Sequence, residues 1–336
     1  MSPLISFILL CSAALCEQPE PRTVLRAEMV LLFQNPDGGW PKNVGWNSFE
    51  TLSDAKEGFK KFPKRKSTID NSATYTQIRE LAAAYTKTNN PNYRDAARGG
   101  LEFILREQRR SGGWRGSDVD AITFNDDAMI GVMRLLKEIT QKQSTFRWVK
   151  PAERERCQQA LARALRVLLD CQIVVDGKKT AWCQQHDHET LKPIKARSYE
   201  LPSISGVESV KIVRYLMEEE APSAKIVEAV EGAVAWFRRS AIHGIRIERF
   251  DIAPVKDGNK VIEHDERVVR DPDAKPLWAR FYEIDTNRPF FCNRDGIKVY
   301  TLAEVTLERR TGYSWYSDAA AKLLEKEYPK WLERLK

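Results

Sequence analysis

The chain has 336 residues, with 54 basic against 47 acidic side chains and a net charge of +7. That length holds one large domain or two ordinary ones, and 42% hydrophobic residues with nine tryptophans describe a globular core. The basic residues are spread rather than run together, which argues against nucleic acid and agrees with an anionic partner.

The chain opens on an apolar run from Leu4 to Leu15, too short to span a bilayer, followed by a polar break. Residues 1–16 read as a signal peptide with cleavage near Cys16, although no Lys or Arg precedes the run. Leu15 stands where a lipoprotein signal wants a small residue. The expectation is a secreted protein, extracellular or periplasmic, with no membrane attachment once the signal is removed. Residues 17–336 show no linker or change of composition and read as one domain, and nothing in them demands more than a monomer.

Beyond the signal, the pattern is mostly helical. A polar, basic leg from Thr51 to Lys66 is expected to cover the surface. Apolar stripes at helical spacing follow: Ile78, Leu81, Ala82, Tyr85; Ala97, Leu101, Ile104, Leu105; Met129, Val132, Met133, Leu136; Leu161, Leu165, Leu168, Leu169; Ile226, Val230, Ala233, Phe237. Between Ala241 and Phe291 the pattern breaks into charged, alternating pieces, expected as loops with a few short strands. Gln34-Asn-Pro-Asp-Gly-Gly-Trp40 recurs as Gln108-Arg-Arg-Ser-Gly-Gly-Trp114, and Gln172 with Trp182 is a looser third copy. Each Gln ends a helical run, and the glycine pairs supply the positive φ of a tight return. Three such units predict a mainly α fold, a ring of paired helices.

Cys157, Cys171, Cys183 and Cys292 lie beyond the signal. Cys157 and Cys171 are about four turns apart on one predicted helix, too far to bridge, and no CxxC spacing suggests zinc. They read as buried and structural, with a Cys183–Cys292 pairing left open.

The chemistry concentrates between Thr180 and Ser209, a polar loop opening into a helix, where His186, Asp187, His188, Glu189, Lys192, Lys195 and Arg197 cluster. A solvated connector is the plain alternative. His186-Asp187-His188 lacks a third ligand for zinc, so it orders the loop or touches substrate. No GxSxG elbow exists. Asp70-Asn71 and Asp126-Asp127 begin helices, as N-caps do, yet at matching places of a repeat they also form a hard oxygen set suited to calcium. Arg197, Arg280, Arg288 and Arg294 sit among aromatics and prolines, either packed and paired or reading carboxylates with two parallel hydrogen bonds.

QNPDGGWPKN, STIDNSATYTQIRELAAAY, ITFNDDAM, TAWCQQHDHETLKPIKARSYELPSISGVESV and ARFYEIDTNRPFFCNRDGIKVYTLAEVTLERRTGYSWY closely resemble the pectate lyases of polysaccharide lyase family ten, in order from Gln34 to Tyr316. The resemblance implies an (α/α)3 toroid and a catalytic domain over residues 17–336. It implies calcium-dependent anti-β-elimination on polygalacturonate, leaving 4,5-unsaturated ends. By position it makes Arg197 the catalytic base and Asp70 and Asp126 calcium ligands. Asn71, Arg280, Arg294, Arg214, Lys211 and His186 become substrate contacts. The chain departs from the family where Asp127 replaces a glycine and where Arg115-Gly-Ser follows the second Gly-Gly-Trp. Two other readings stand beside this one. One is a non-catalytic pectin-binding protein of the same fold. The other is a terpene-cyclase-like enzyme, for which Asp118-Val-Asp120-Ala lacks the final acids.

Overall fold

The computed structural model describes residues 21–258 and 260–336; the signal read over residues 1–16 lies outside them. Among the described residues no helix is long and apolar enough to cross a membrane.

The polar leg forms α2 (Leu52–Lys61) after α1 (Pro21–Leu32). Thr51 and Asp54 exchange side-chain and backbone hydrogen bonds and so close the start of α2. The apolar stripes become α3 (Tyr75–Thr88), α4 (Pro91–Glu107), α5 (Ala128–Thr140), α6 (Pro151–Asp170), α7 (Glu208–Met217) and α8 (Ala224–Arg239). Three short helices follow: α9 (Leu307–Thr311), α10 (Ala319–Lys322) and α11 (Tyr328–Arg334). Proline at the first turn of α4 and α6 costs no hydrogen bond there, and Asn89 ends α3 in the left-handed region at φ 56°. α3 packs on α4, α5 on α6 and α7 on α8, each pair burying its stripe in one continuous core.

The mainly α ring expected from the repeat needs correction, because helix makes up 47% and strand 16% of the described residues. Within the segment read as loops with a few short strands, Ile245–Asp257 and Lys260–Arg270 form a long antiparallel ribbon, and the short strands 278–279, 281–282 and 289–292 follow it. Charges on its outer face hide the alternation: Ile247 packs inward and Ile262 is buried, while Val261 and Val268 stay exposed. A four-stranded antiparallel sheet, in the order 298–299, 289–292, 281–282, 204–205, covers a second core around Tyr199, Phe281, Phe290, Phe291 and Trp315. The four cysteines among the described residues are free and buried, so Cys183 and Cys292 do not pair.

The repeat is real and has a mechanical basis. Gln34 Nε2 donates to Gly38 O (2.8 Å) and to Ala96 O (2.9 Å) on α4. Gln108 does the same to Gly112 O and Ala160 O, both 2.8 Å, and Gln172 to Thr180 O (3.0 Å) and Ala229 O (2.8 Å). The indole N–H of Trp40, Trp114 and Trp182 donates to Val30 O, Ile104 O and Leu168 O, four residues before each glutamine. Trp278 repeats this bond to Phe237 O (2.9 Å), with Ala241 in the glutamine position and the ribbon inserted between. A methyl group on Gly38 (φ 93°) would lie 2.3 Å from Gly99 O, and one on Gly112 (φ 111°) 2.6 Å from Arg163 O, so both returns require glycine.

Gln172→Ala would leave the carbonyls of Thr180 and Ala229 without their side-chain donor. The expected cost is about 2–4 kcal/mol, read as a lower denaturation midpoint at unchanged slope. A loss under about 1 kcal/mol would show that the amide does not hold the units together.

Candidate active site

The acid-bearing turns hang from the tryptophans. Thr68 N–H donates to Trp40 O and Thr123 N–H to Trp114 O, both 3.0 Å, and the chain then enters the turns Asp70–Ser72 and Asn125–Asp127. Asn71 (φ 49°) and Ser72 (φ 64°) match Asp126 (φ 52°) and Asp127 (φ 59°) in left-handed backbone. Asn and Asp tolerate this region better than other residues, and paired outliers of this kind gather at functional sites. By this alignment Asp70 corresponds to Asn125 and Asn71 to Asp126. The two acids expected at equivalent positions are therefore offset by one residue, although the turns pack side by side.

Asp70 is buried, and its Oδ2 accepts from Lys42 Nζ at 2.7 Å and Ser117 Oγ at 2.5 Å. Burial alone would raise its pKa, but the bonds from Lys42 and Ser117 outweigh burial and hold it below the usual value. The Asp126 carboxyl opens to the cleft and accepts from Asn125 Nδ2 at 3.1 Å. The surrounding protein, and then the Asp70 charge, push its pKa up. The same two carboxylates thus repel each other. Asn71 reaches Asn43 Oδ1 (2.9 Å), and Lys211 pairs with Asp127 (2.9 Å) beside these turns.

A cleft of 610 Å³ opens between Asp126, Arg197, Arg280, Glu266, Ile247 and the segment Thr311–Tyr316. A larger cavity, 1000 Å³ beside α1, is lined by Trp46, Phe49 and the Arg26–Glu80 pair and gathers no comparable chemistry. Arg280 crosses the Tyr313 ring at 4.3 Å and gives its Nη2 to Glu208 Oε1 (2.6 Å) and Asn125 Oδ1 (3.1 Å). Burial would lower its pKa, but the Glu208 charge overrides this and raises it. Arg197 sits at a tight turn in which Glu200 N–H donates to Arg197 O (2.9 Å). The buried Glu200 carboxylate returns two bonds, one from the Arg197 backbone N–H (3.2 Å) and one from its Nη2. Against the lowering effect of burial, Glu200 raises the Arg197 pKa and holds the guanidinium charged. Asp118 lies 4.0 Å from Arg197 and 3.8 Å from Lys42, joining the two halves of the site.

Three expected substrate contacts lie elsewhere. His186 is completely buried: its Nδ1 faces Leu191 O at 2.8 Å, and its Nε2 accepts from Cys183 N–H at 3.1 Å. That arrangement fixes a neutral imidazole, and burial pushes its pKa down to about 4. It pins the loop 183–191 from inside and has no face for a substrate. Arg214 is a bidentate partner of Glu327 (2.6 and 3.1 Å), tying α7 to the C-terminal helices. Arg294 pairs with Glu308 (2.8 and 3.0 Å) over Tyr199, in a neighbouring groove with Lys256 and Lys260.

Sequence reasoning missed Lys42, Ser117, Asp118, Glu200, Glu208, Glu266 and Tyr313. Lys42 was signalled by its place two residues after Trp40, and Glu200 by standing three after Arg197; Glu266 carries no local signal. The cyclase-like reading loses its acids, because Asp120 is spent on Arg109 at the surface. For a divalent cation the donors suit a hard ion. Among the described residues no group of three or more His, Cys, Asp or Glu forms a closed cage. Asp70 and Asp126 would hold such an ion in part, with water and substrate completing the shell.

The folded-state pKa of His186 lies below its unfolded value of 6.5. The stability linked to its neutral form is therefore complete above pH 6.5 and lost as pH falls toward about 4. That loss is on the order of 3 kcal/mol. His186→Asn should be less stable overall but flatter across that window, by denaturation at a series of pH values; parallel curves would refute the buried neutral histidine.

The profile of the pectic acid lyase family matches residues 34–324. A family 10 polysaccharide lyase from Cellvibrio cellulosa is 32% identical, with 92% of each chain covered and a TM-score of 0.78. An aspartate-to-alanine mutant of the family 10 polysaccharide lyase from Cellvibrio cellulosa, in complex with trigalacturonic acid, is also 32% identical. The match covers 90% of this chain and 92% of that one, with a TM-score of 0.77. No curated protein matches. The chain belongs to the pectic acid lyase family, the enzymes grouped as family 10 polysaccharide lyases.

Proposed function

We propose that the enzyme cleaves polygalacturonate by calcium-assisted anti-β-elimination in the 610 Å³ cleft, with Arg197 as the base. The observation that carries the reading is the charge balance. Around the cleft, Asp70, Asp118, Asp126, Glu200, Glu208 and Glu266 outnumber Lys42, Arg197 and Arg280, the cations set directly among them. A polyanion cannot settle among excess carboxylates without a cation, and the repulsion felt by Asp126 marks where that cation is wanted. Asp70 and Asp126 would hold it, and bound there a divalent cation supplies charge neutralisation for the sugar carboxylate. The secretory reading of residues 1–16 fits a polymer too large to enter a cell.

The proton on C5 lies α to the uronate carboxylate and is scarcely acidic while that carboxylate stays fully charged. Arg280, braced by Glu208 and Tyr313, lines the cleft, where its charge steadies negative charge as it develops. The small neutral fraction of Arg197, a guanidine that has lost one proton to solvent, takes the C5 proton and returns to the guanidinium; the C–H electron pair forms the C4–C5 double bond, and the C4–O bond breaks. The leaving oxygen takes its proton from water. Glu200 both aims the guanidinium and opposes its deprotonation, so the reaction favours alkaline pH.

Arg197→Ala should abolish formation of the ultraviolet-absorbing unsaturated product from polygalacturonate, by about a thousandfold or more, while oligogalacturonate still binds. Undiminished product formation would remove Arg197 from the chemistry. Glu200→Gln removes the charge that raises the Arg197 pKa. The rising limb of kcat/KM should therefore move to lower pH; an unmoved limb in a variant that still binds would make Arg197 a substrate contact only.

A further inference from the structure

Glu266 faces the same cleft as Asp126, Arg197 and Arg280, yet it belongs to the ribbon rather than to the helical units. Its carboxylate is half-buried, and no hydrogen bond contributes to its environment among the described residues. The cations nearby are otherwise engaged or merely adjacent. Arg310 is committed to Asp265 at 2.6 and 2.7 Å, and Arg249 lies across the ribbon in register. Burial foremost, with the Asp265 charge adding to it, raises the Glu266 pKa despite His264, Arg249 and Arg310.

Glu266 is also held in place. The Asp265–Arg310 pair fastens the ribbon to α9, Ile262 is buried, and Ile247 packs on the second core beside the cleft. An under-solvated carboxylate fixed on the wall of a cleft for a polyanion is a local obstacle. A pectic chain carries one carboxyl per sugar. If Arg280 and the Asp70–Asp126 side take one carboxylate, a neighbouring one on the ribbon side meets like charge. A methyl ester there meets none, and the Glu266 oxygens can accept bonds from sugar hydroxyls.

On the lyase reading above, we propose that Glu266 makes the ribbon-side subsite prefer a neutral, methyl-esterified galacturonate over the free carboxylate.

The test compares kcat/KM for wild type and Glu266→Gln on de-esterified polygalacturonate and on pectin of intermediate methyl esterification, matched in chain length. The substitution should raise kcat/KM on polygalacturonate by about three- to tenfold and lower the pectin-to-polygalacturonate ratio. The gain should shrink at high salt. Glu266→Ala should move the ratio in the same direction, and trigalacturonate affinity measured by calorimetry should rise with it. An unchanged ratio, or equal losses on both polymers, would overturn the proposal. Wild type making no unsaturated product from either polymer would overturn the lyase reading itself, whereas an active wild type with an unmoved ratio sinks only the role of Glu266.

Discussion

Each acidic turn depends on the tryptophan that anchors it. The indole N–H is tied to the last carbonyls of the preceding helix, and the tryptophan carbonyl receives the chain just before Asp70 in one unit and Asp126 in the next. The glutamine amide closes the same joint by bridging the return to a helix of the next unit, α4 for Gln34 and α6 for Gln108. A buried amide that satisfies two carbonyls is costly to replace, since loss of the donor strands both. Left-handed backbone at Asn71, Asp126 and Asp127 persists because this frame over-determines the turns that carry them.

The cleft that results is not a simple basic groove for an acidic polymer. Its arginines are neutralised by buried partners: Arg197 by Glu200, Arg280 by Glu208. Each pair fixes a guanidinium that lines the cleft, and each adds a negative charge beside it. The ion pair at Arg294, whose guanidinium is exposed, contributes little by comparison, because solvent screens it. The proposed divalent cation at Asp70 and Asp126 would offset these carboxylates when an anionic substrate enters.

The helices, their pairing and the three joints were legible because apolar period and the Gln–turn–Trp spacing are local properties of the sequence. Asp70, Asp126, Arg197 and Arg280 were expected by resemblance, and the structure sets Asp126, Arg197 and Arg280 on one cleft with Asp70 beside Asp126. The ribbon was not, since charged residues on its outer face concealed a period of two. His186 misled because a histidine in a polar loop reads as exposed, whereas this one turns inward and satisfies both nitrogens on backbone. Arg214 and Arg294 misled for the opposite reason: their partners Glu327 and Glu308 are 113 and 14 residues away and cannot be paired from spacing alone. Glu266 is invisible in sequence because its meaning comes entirely from the wall across the cleft.

The measurement that tests the central claim most directly is calorimetric binding of trigalacturonate to the wild-type protein, first with calcium and then with excess chelator. The charge balance of the cleft requires binding in calcium and its loss in chelator, with Asp126→Asn weakening the calcium-dependent component. Equal affinity in calcium and in chelator would contradict the account, because the cleft would then receive a polyanion without the cation its carboxylates demand.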